Sequence, residues 1–213
     1  MSNTTEKNTT KTVAVQAGAQ TTGKARYLTV IALMAAISYI LAFLEVPMPL
    51  APSFARMDAS DVPALLTAFA LGPVAGTVVE LIKNVLQALS TSTGGIGELA
   101  NFLMGASLVF TAGLIYKQKK TRKMAVVSCV AGSVAMGIMA AIMNYFVLLP
   151  MYQIFMPIDQ VIASFAEIIP FIHTKLDVVL YSALPGNILK GLIVSVITML
   201  VYKRVSPAMK GMR

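Results

Sequence analysis

Long apolar runs, separated by short polar segments, make up most of the chain beyond residue 22. A helix needs about 20 mostly apolar residues to cross a bilayer, so the chain has room for about six spans and for no separate catalytic domain. The predicted helices cover residues 27–46, a segment capped by Asp58 or Ser60 and ending at 71, and then 73–89, 99–116, 124–149 and 184–202. The pattern therefore predicts an all-α membrane protein with six transmembrane helices.

Prolines and glycines mark the ends of these helices. Three prolines in PMPLAPSFARMDAS, residues 47–60, predict a loop after the first helix. Gly72 can end the second helix, and Pro73 can open the third at its first position. Pro150 is expected to stop the fifth helix, and the more polar residues 151–182 are expected to form short interfacial helices.

Charge supports the membrane assignment and orients the chain. Only 12% of the residues are charged, whereas soluble proteins carry about 25%. The net charge of +8 is concentrated in three basic clusters that six crossings place on one side, which is the positive-inside pattern. Both termini are therefore expected to be cytoplasmic, and nucleic-acid binding is not indicated. The clusters contain Lys7, Lys11, Lys24 and Arg26, then Lys117, Lys119, Lys120, Arg122 and Lys123, and finally Lys203, Arg204, Lys210 and Arg213.

The chain divides into a short tail and one membrane domain. Residues 1–22 are polar and rich in Thr, Lys and Gln, which predicts a disordered cytoplasmic tail. Residues 23–213 are expected to form the six-helix transmembrane domain. The single cysteine, Cys129, cannot form a disulfide within one chain, and its apolar surroundings favour a small buried filler.

Two charged residues in the second and third helices are predicted to pair. Asp61 and Lys83 lie about eleven and ten residues from the Gly72–Pro73 hinge, so both lie roughly 16 Å from it. An ion inside a membrane requires a partner, which favours an Asp61–Lys83 pair. The alternative is a surface carboxylate and a lysine that extends to the interface.

Several polar side chains are predicted at one depth near the outer ends of three helices. Asn101 lies on the fourth helix, Asn144 on the fifth, and Asn187 and Lys190 on the sixth. They can line an outward-facing cavity and bind a ligand with several donors and acceptors. They can equally form hydrogen bonds between helices, and the spacing alone does not distinguish these two roles.

Small residues recur on two helices. Ala32 and Ala36 are four residues apart on the first helix, and Gly132, Ala135 and Gly137 form a similar strip on the fifth. Small residues allow helices to approach closely. They indicate packing either within this protein or, for Ala32 and Ala36, against another membrane subunit.

Motifs for catalysis, nucleotides and metals are absent from the sequence. It contains no G-x-x-x-x-G-K-[ST] motif for ATP. His173 is the single histidine and has no neighbouring cysteine, so a solvated loop position is favoured over a metal ligand. Asp58 and Asp61 are better explained by helix capping than by metal binding. An intramembrane enzyme would require clustered acids or a nucleophile–base pair, and neither is evident. No cofactor is predicted.

Four motifs occur in an order that resembles one family. They are MDASDVPALLTAFALGPVAGTVVELIKNVLQ, GELANFLMG, MNYFVLLPMY and PGNILKG. Together they resemble the riboflavin-binding S component of energy-coupling-factor (ECF) vitamin transporters, over nearly the whole chain except its polar tail.

This resemblance implies a six-helix protein of the bacterial plasma membrane that captures riboflavin from outside with high affinity. It implies assembly with a transmembrane T component and two cytoplasmic ATPases. The asparagine of the NY motif and the polar pair of the NxxK motif contact the flavin in such proteins, while the assignment of the GELANFLMG asparagine is weaker. These positions are Asn144, Asn187, Lys190 and Asn101. The alanine pair that docks the T component corresponds to Ala32 and Ala36, and the proline-rich loop resembles the segment covering the ligand. An S component for another vitamin is the alternative.

Overall fold

Helices account for most of the structure, a computed structural model that describes residues 24–52, 55–91, 94–155 and 157–210. The predicted tail, residues 1–22, lies outside these ranges. The helices are α1 (Lys24–Leu41), α2 (Asp61–Leu71), α3 (Pro73–Ala88), α4 (Ile96–Gln118), α5 (Arg122–Met143), α6 (Leu149–Phe155), α7 (Ile158–Ala166), α8 (Lys175–Val178) and α9 (Leu184–Lys210).

Four helical segments among the described residues are long and apolar enough to cross a membrane: Lys24–Leu41, Ile96–Gln118, Arg122–Ile154 and Lys175–Pro207. The remaining two predicted spans, α2 and α3, have 11 and 16 residues and are shorter than a standard span. Nearly every residue of α2 is buried, and α2 packs against α3, α4 and α9. Because protein rather than lipid encloses it, α2 has no need to match the thickness of the bilayer.

The prediction that Pro150 stops the fifth helix is wrong. A π-helical turn, Asn144–Leu148, joins α5 to α6, and the helix continues through Pro150 to Phe155. The Leu149 N–H donates to the Asn144 carbonyl five residues back, so the widened turn accommodates a proline that lacks its own N–H. A second π turn, Val179–Ala183, joins α8 to α9 immediately before Leu184 and Pro185, so the last helical run begins earlier than predicted.

The predicted proline-rich loop is confirmed and contains a small hairpin. Helix α1 ends at Leu41, earlier than predicted, where Phe43 and Leu44 donate to carbonyls three residues back and tighten the last turn. Strand β1 (Val46–Pro47) pairs antiparallel with β2 (Arg56–Met57). Between them Leu50 has φ 64°, an uncommon conformation for a residue other than glycine.

The hinge between α2 and α3 forms as predicted, whereas the cap of α2 differs. Gly72 has φ 112° and separates the helices, and Pro73 occupies the first turn of α3. Ser60 takes the N-cap position with helical backbone angles, and its side chain makes no capping bond. Its Oγ accepts a hydrogen bond from Lys83. Asp58 instead accepts from the Ser60 N–H at 2.7 Å.

The two strips of small residues have different environments. On α5, Gly132 meets the backbone of Leu108 on α4, and Gly137 meets Ile188 on α9, so this strip packs within the bundle. Ala32 and Ala36 are exposed on α1, which excludes internal packing as their role among the described residues. The predicted burial of Cys129 is confirmed.

Candidate ligand-binding site

A cavity of about 400 Å³ opens among α4, the first π turn, α9 and the hairpin loop. All four polar residues predicted at one depth line it, namely Asn101, Asn144, Asn187 and Lys190. This volume lies within the range of about 300–1,000 Å³ that is typical of small-molecule sites. The geometry therefore brings the four side chains around one space.

Each element contributes one part of the wall. Asn101 and Met104 lie near the start of α4, and Asn144 is the first residue of the π turn. Asn187 and Lys190 lie three residues apart on the first turns of α9. The apolar part of the wall includes Met48, Ala51, Ala55, Met104, Leu148, Phe165 and Ala183.

Two of the asparagines are oriented by their own helices. Asn144 Nδ2 donates to the Ala140 carbonyl, and Asn187 Nδ2 donates to the Ala183 carbonyl, both at 2.8 Å. A side-chain amide has two donor hydrogens and an acceptor oxygen, so one such bond leaves capacity for a ligand. The backbone thus fixes two amides at the edge of the cavity.

A buried cluster of charges lies behind the cavity and confirms the predicted Asp61–Lys83 pair. Lys83 Nζ lies 2.7 Å from Asp61 Oδ1 and 2.7 Å from Glu80 Oε2, and all three side chains are fully buried. Lys83 Nζ also donates to Ser60 Oγ at 2.9 Å. A surface carboxylate with an extended lysine is therefore excluded.

Lys190 connects this charge cluster to the cavity. Its Nζ lies 3.2 Å from Asp61 Oδ2, and the residue is 6% exposed. An ammonium group has three donor hydrogens, so the ion pair leaves Lys190 able to donate to a ligand. Asp61 thus binds both lysines, one through each carboxylate oxygen.

A second hydrogen-bonded connection reaches the cavity through α3. Asn101 Nδ2 donates to Asn84 Oδ1 at 3.0 Å, and Asn84 Nδ2 donates to the Glu80 carbonyl oxygen at 2.8 Å. The polar wall residues on α4 and α9 are therefore linked through one buried network. We define the buried charge network as Asp61, Glu80, Lys83, Asn84, Asn101 and Lys190.

Sequence reasoning did not identify Glu80 or Asn84. Their spacing indicates a shared helix face, because Lys83 and Asn84 lie three and four residues after Glu80 on α3. Gly105 on α4 makes room for this face, since an added methyl group would lie 2.7 Å from Glu80 Oε2.

The described residues contain no group of three or more His, Cys, Asp or Glu side chains arranged to hold a metal ion. His173 is exposed, as predicted. The cavity is lined by amides, the Lys190 ammonium group and apolar side chains, together with Arg56 and three carboxylates. This combination is suited to holding a ligand by hydrogen bonds and packing.

Comparison with known proteins agrees with this architecture. The family described as ECF transporter, substrate-specific component, matches residues 26–202. The chain is 38% identical to the riboflavin transporter RibU of Staphylococcus aureus (strain TCH60), over 86% of this chain and 92% of that protein. It is 31% identical to the riboflavin transporter FmnP of Bacillus subtilis (strain 168), over 89% and 97%.

A solved structure has the same fold. It is described as "Structure and mechanism of the S component of a bacterial ECF transporter" and superposes with a TM-score of 0.69 at 35% identity. The match covers 88% of this chain and 99% of that chain. The protein is thus a multi-pass membrane transport component and not an enzyme. From its sequence match, its helical bundle and its polar cavity, the chain belongs to the substrate-specific components of ECF transporters.

Proposed function

We propose that this protein is the high-affinity riboflavin-binding subunit of an ECF transporter. It mediates riboflavin uptake together with a T component and two cytoplasmic ATPases. The observation that carries the proposal is the convergence of Asn101, Asn144, Asn187 and Lys190 on one cavity of about 400 Å³. The relatives named as riboflavin transporters support the choice of ligand.

The lining groups match the chemistry of a flavin. An isoalloxazine ring has carbonyl and ring-nitrogen acceptors beside one N–H donor, on an otherwise flat apolar surface. The Lys190 ammonium and the remaining amide N–H of Asn187 can donate to the acceptors, while an amide oxygen of Asn144 or Asn187 can accept from the ring N–H. Met104, Leu148 and Phe165 can cover the ring faces.

The proposed topology has six crossings with both termini in the cytoplasm. Support comes from the four long apolar segments, together with two shorter crossings: α2, which the bundle encloses, and α3, which is exposed along one side. The basic α4–α5 turn and the basic end of α9 then lie on the cytoplasmic side, and the cavity faces outward.

The exposed alanine pair on α1 is the proposed docking site for the T component. Ala32 and Ala36 are exposed among larger side chains of the same face, such as Leu33 and Ile40. Small side chains between larger ones form a shallow groove in which a second helix can approach closely.

Riboflavin titration of the purified protein, followed by quenching of flavin fluorescence, tests the ligand. We expect tight binding and at least about tenfold weaker binding in Lys190→Ala, because a hydrogen bond from a charged group contributes about 1.5–3 kcal/mol. Lys175→Ala is the matched control, since Lys175 lies on α8 and does not line the cavity.

Two results would contradict the proposal. If the folded protein binds another vitamin from a panel but not riboflavin, the ligand assignment is wrong. If Lys190→Ala binds riboflavin as tightly as the unmodified chain, Lys190 does not contact the ligand.

A further inference from the structure

A second cleft lies at the far ends of the helices that build the ligand cavity. It has a volume of about 470 Å³ and lies between the α4–α5 turn, the start of α5 and the last turns of α9. Tyr116 on α4 is fifteen residues beyond Asn101, which places it roughly 22 Å along the helix from the cavity. This space is therefore separate from the ligand-binding cavity.

The floor of the cleft is a cluster of three aromatic rings. The Phe69 ring centroid lies 4.5 Å from that of Tyr116 and 5.9 Å from that of Tyr202, and the two tyrosine centroids are 6.2 Å apart. Ala125, Val126 and Met199 extend this apolar surface. Because α2, α4 and α9 each supply one ring, the floor is held by the bundle itself.

Three cations surround this apolar floor. Lys120, Arg122 and Lys203 line the cleft and are exposed, and no Asp or Glu is among its lining residues. Within the described part of the chain, every ion pair joins other residues. The cleft therefore combines uncompensated positive charge with an apolar base.

An adjoining cleft of about 250 Å³ shares Phe69, Tyr116 and Lys120 with it and adds Lys117 and Tyr27. A group bound at Lys120 therefore lies beside two apolar spaces.

An exposed apolar strip continues from the cleft along α5. Its members recur every four residues, so they lie on one helix face. They are Val126 at 49% exposure, Val130 at 47%, Val134 at 42% and Ile138 at 51%. In a membrane this strip faces acyl chains, and it spans roughly 18 Å.

We propose that this cleft binds an anionic phospholipid, with its phosphate among Lys120, Arg122 and Lys203 and an acyl chain along the exposed apolar strip of α5. The charge complements a phosphodiester, and basic pockets between transmembrane helices suit such headgroups. The aromatic floor and the strip favour a lipid over a soluble phosphate, which would leave this apolar surface uncovered.

Native mass spectrometry of the detergent-purified full-length protein tests the proposal. The probes are phosphatidylglycerol and phosphatidylcholine with identical acyl chains, together with glycerol phosphate as the headgroup without chains. We expect phosphatidylglycerol adducts to be retained at least about tenfold better than phosphatidylcholine adducts and to weaken with added salt. Glycerol phosphate should bind at most weakly.

A charge-matched pair of variants locates the site. The variant Lys120→Gln/Arg122→Gln/Lys203→Gln removes the lining cations, whereas Lys119→Gln/Lys123→Gln/Arg204→Gln removes three neighbouring cations that do not line the cleft. We expect at least about a tenfold loss of phosphatidylglycerol binding in the first and less than about a twofold loss in the second. Ala125→Phe keeps every charge but fills the cleft, and should also weaken lipid binding.

The outcomes separate the alternatives. Equal losses of phosphatidylglycerol binding in the two triple variants would mean that diffuse surface charge attracts the lipid. Strong binding of glycerol phosphate would mean that the cleft is a site for soluble phosphate. Loss of assembly with the transporter partners while lipid binding persists would mean a protein interface. Each of these overturns the proposal. If the triple variant does not fold, as judged by gel filtration and thermal unfolding, the single pair Arg122→Gln and Lys123→Gln makes the same comparison.

Discussion

At the scale of single residues, three side chains hold Lys83 in place. It is fully buried, and its ammonium group contacts Asp61, Glu80 and Ser60 at hydrogen-bonding distances. An ammonium has three donor hydrogens, so each of them has a partner. These partners compensate for removing the charge from water.

Lys83→Met is expected to destabilise the protein by about 3–5 kcal/mol, because it removes the ion-pair partner that the buried Glu80 has among the described residues and leaves Asp61 with Lys190 alone. Thermal unfolding of the purified protein measures the loss. Lys123→Met is the control, since Lys123 is exposed.

A double-mutant cycle separates pairing from general damage. Asp61→Asn combined with Lys83→Met should cost less than the sum of the two single changes, because either single change already breaks the ion pair between them. Strictly additive losses would contradict the interpretation.

The sequence predicted part of this chemistry. Distance from the Gly72–Pro73 hinge was sufficient to pair Asp61 with Lys83, and depth along the helices was sufficient to group Asn101, Asn144, Asn187 and Lys190. Glu80 and Asn84 were missed because their role depends on how α3 is rotated against α4, which spacing along one helix does not specify.

At the scale of elements, a hydrogen bond joins the hairpin loop to the bundle. Ser182 Oγ donates to the Leu50 carbonyl oxygen at 2.5 Å, and Leu50 has the strained φ of 64°. The loop residues Met48 and Ala51 line the cavity. The contact therefore holds a cavity wall in a conformation that the loop alone disfavours.

Ser182→Ala is expected to speed riboflavin dissociation by a factor of about 2–10, because it removes one hydrogen bond worth about 0.5–1.5 kcal/mol. Stopped-flow fluorescence with excess unlabelled competitor measures the rate. Ser164→Ala is the matched control, since the Ser164 hydroxyl donates within its own helix to the Gln160 carbonyl. An unchanged rate in Ser182→Ala would mean that the attachment does not limit release.

The predicted helix ends are correct where residues within one turn determine them, and wrong where the neighbouring turn does. Gly72 and Pro73 separate α2 from α3 as predicted, because a positive φ and a missing N–H act within one turn. The prediction that Pro150 ends the helix was wrong because the preceding π turn accommodates the missing N–H of this proline. Nothing in the residue pattern of 144–148 distinguishes a π turn from an α turn.

At the scale of the whole molecule, charge is distributed unevenly between the two ends. The ligand cavity is lined by the carboxylates Glu45, Asp58 and Glu98, and each of its two cations already has a carboxylate partner. Arg56 lies 3.6 Å from Glu45, and Lys190 is paired with Asp61. The opposite end carries the basic cleft.

FMN is therefore expected to bind at least about tenfold more weakly than riboflavin. Its phosphate adds about −1.5 to −2 charge at pH 7 and meets carboxylates at the cavity. Competition titration against riboflavin measures the ratio of the two affinities, and raising the salt concentration should bring this ratio closer to one. Equal affinity for the two flavins would mean that the phosphate stays outside the field of these carboxylates.

Substitutions on the exposed face of α1 are expected to impair transport without changing ligand binding. Ala36→Trp fills the groove, so it should leave riboflavin affinity unchanged but reduce assembly with the T component and uptake in vesicles. Leu114→Trp is the control, because Leu114 is an exposed apolar residue on α4 that lies outside the α1 face. Normal uptake by Ala36→Trp would remove the alanine pair from the docking surface.

The buried charge network also divides the cavity wall into an inflexible half and an adaptable one. Asn101 and Lys190 are bonded to buried partners, so replacing either one removes a partner from an interior amide or charge. Met48, Ala51 and Leu148 have no such attachment to the network. If a variant that imports a different nutrient is selected in the laboratory, its substitutions should therefore accumulate on the loop and π-turn side. The fewest substitutions are expected on α3 and the facing turns of α4 and α9.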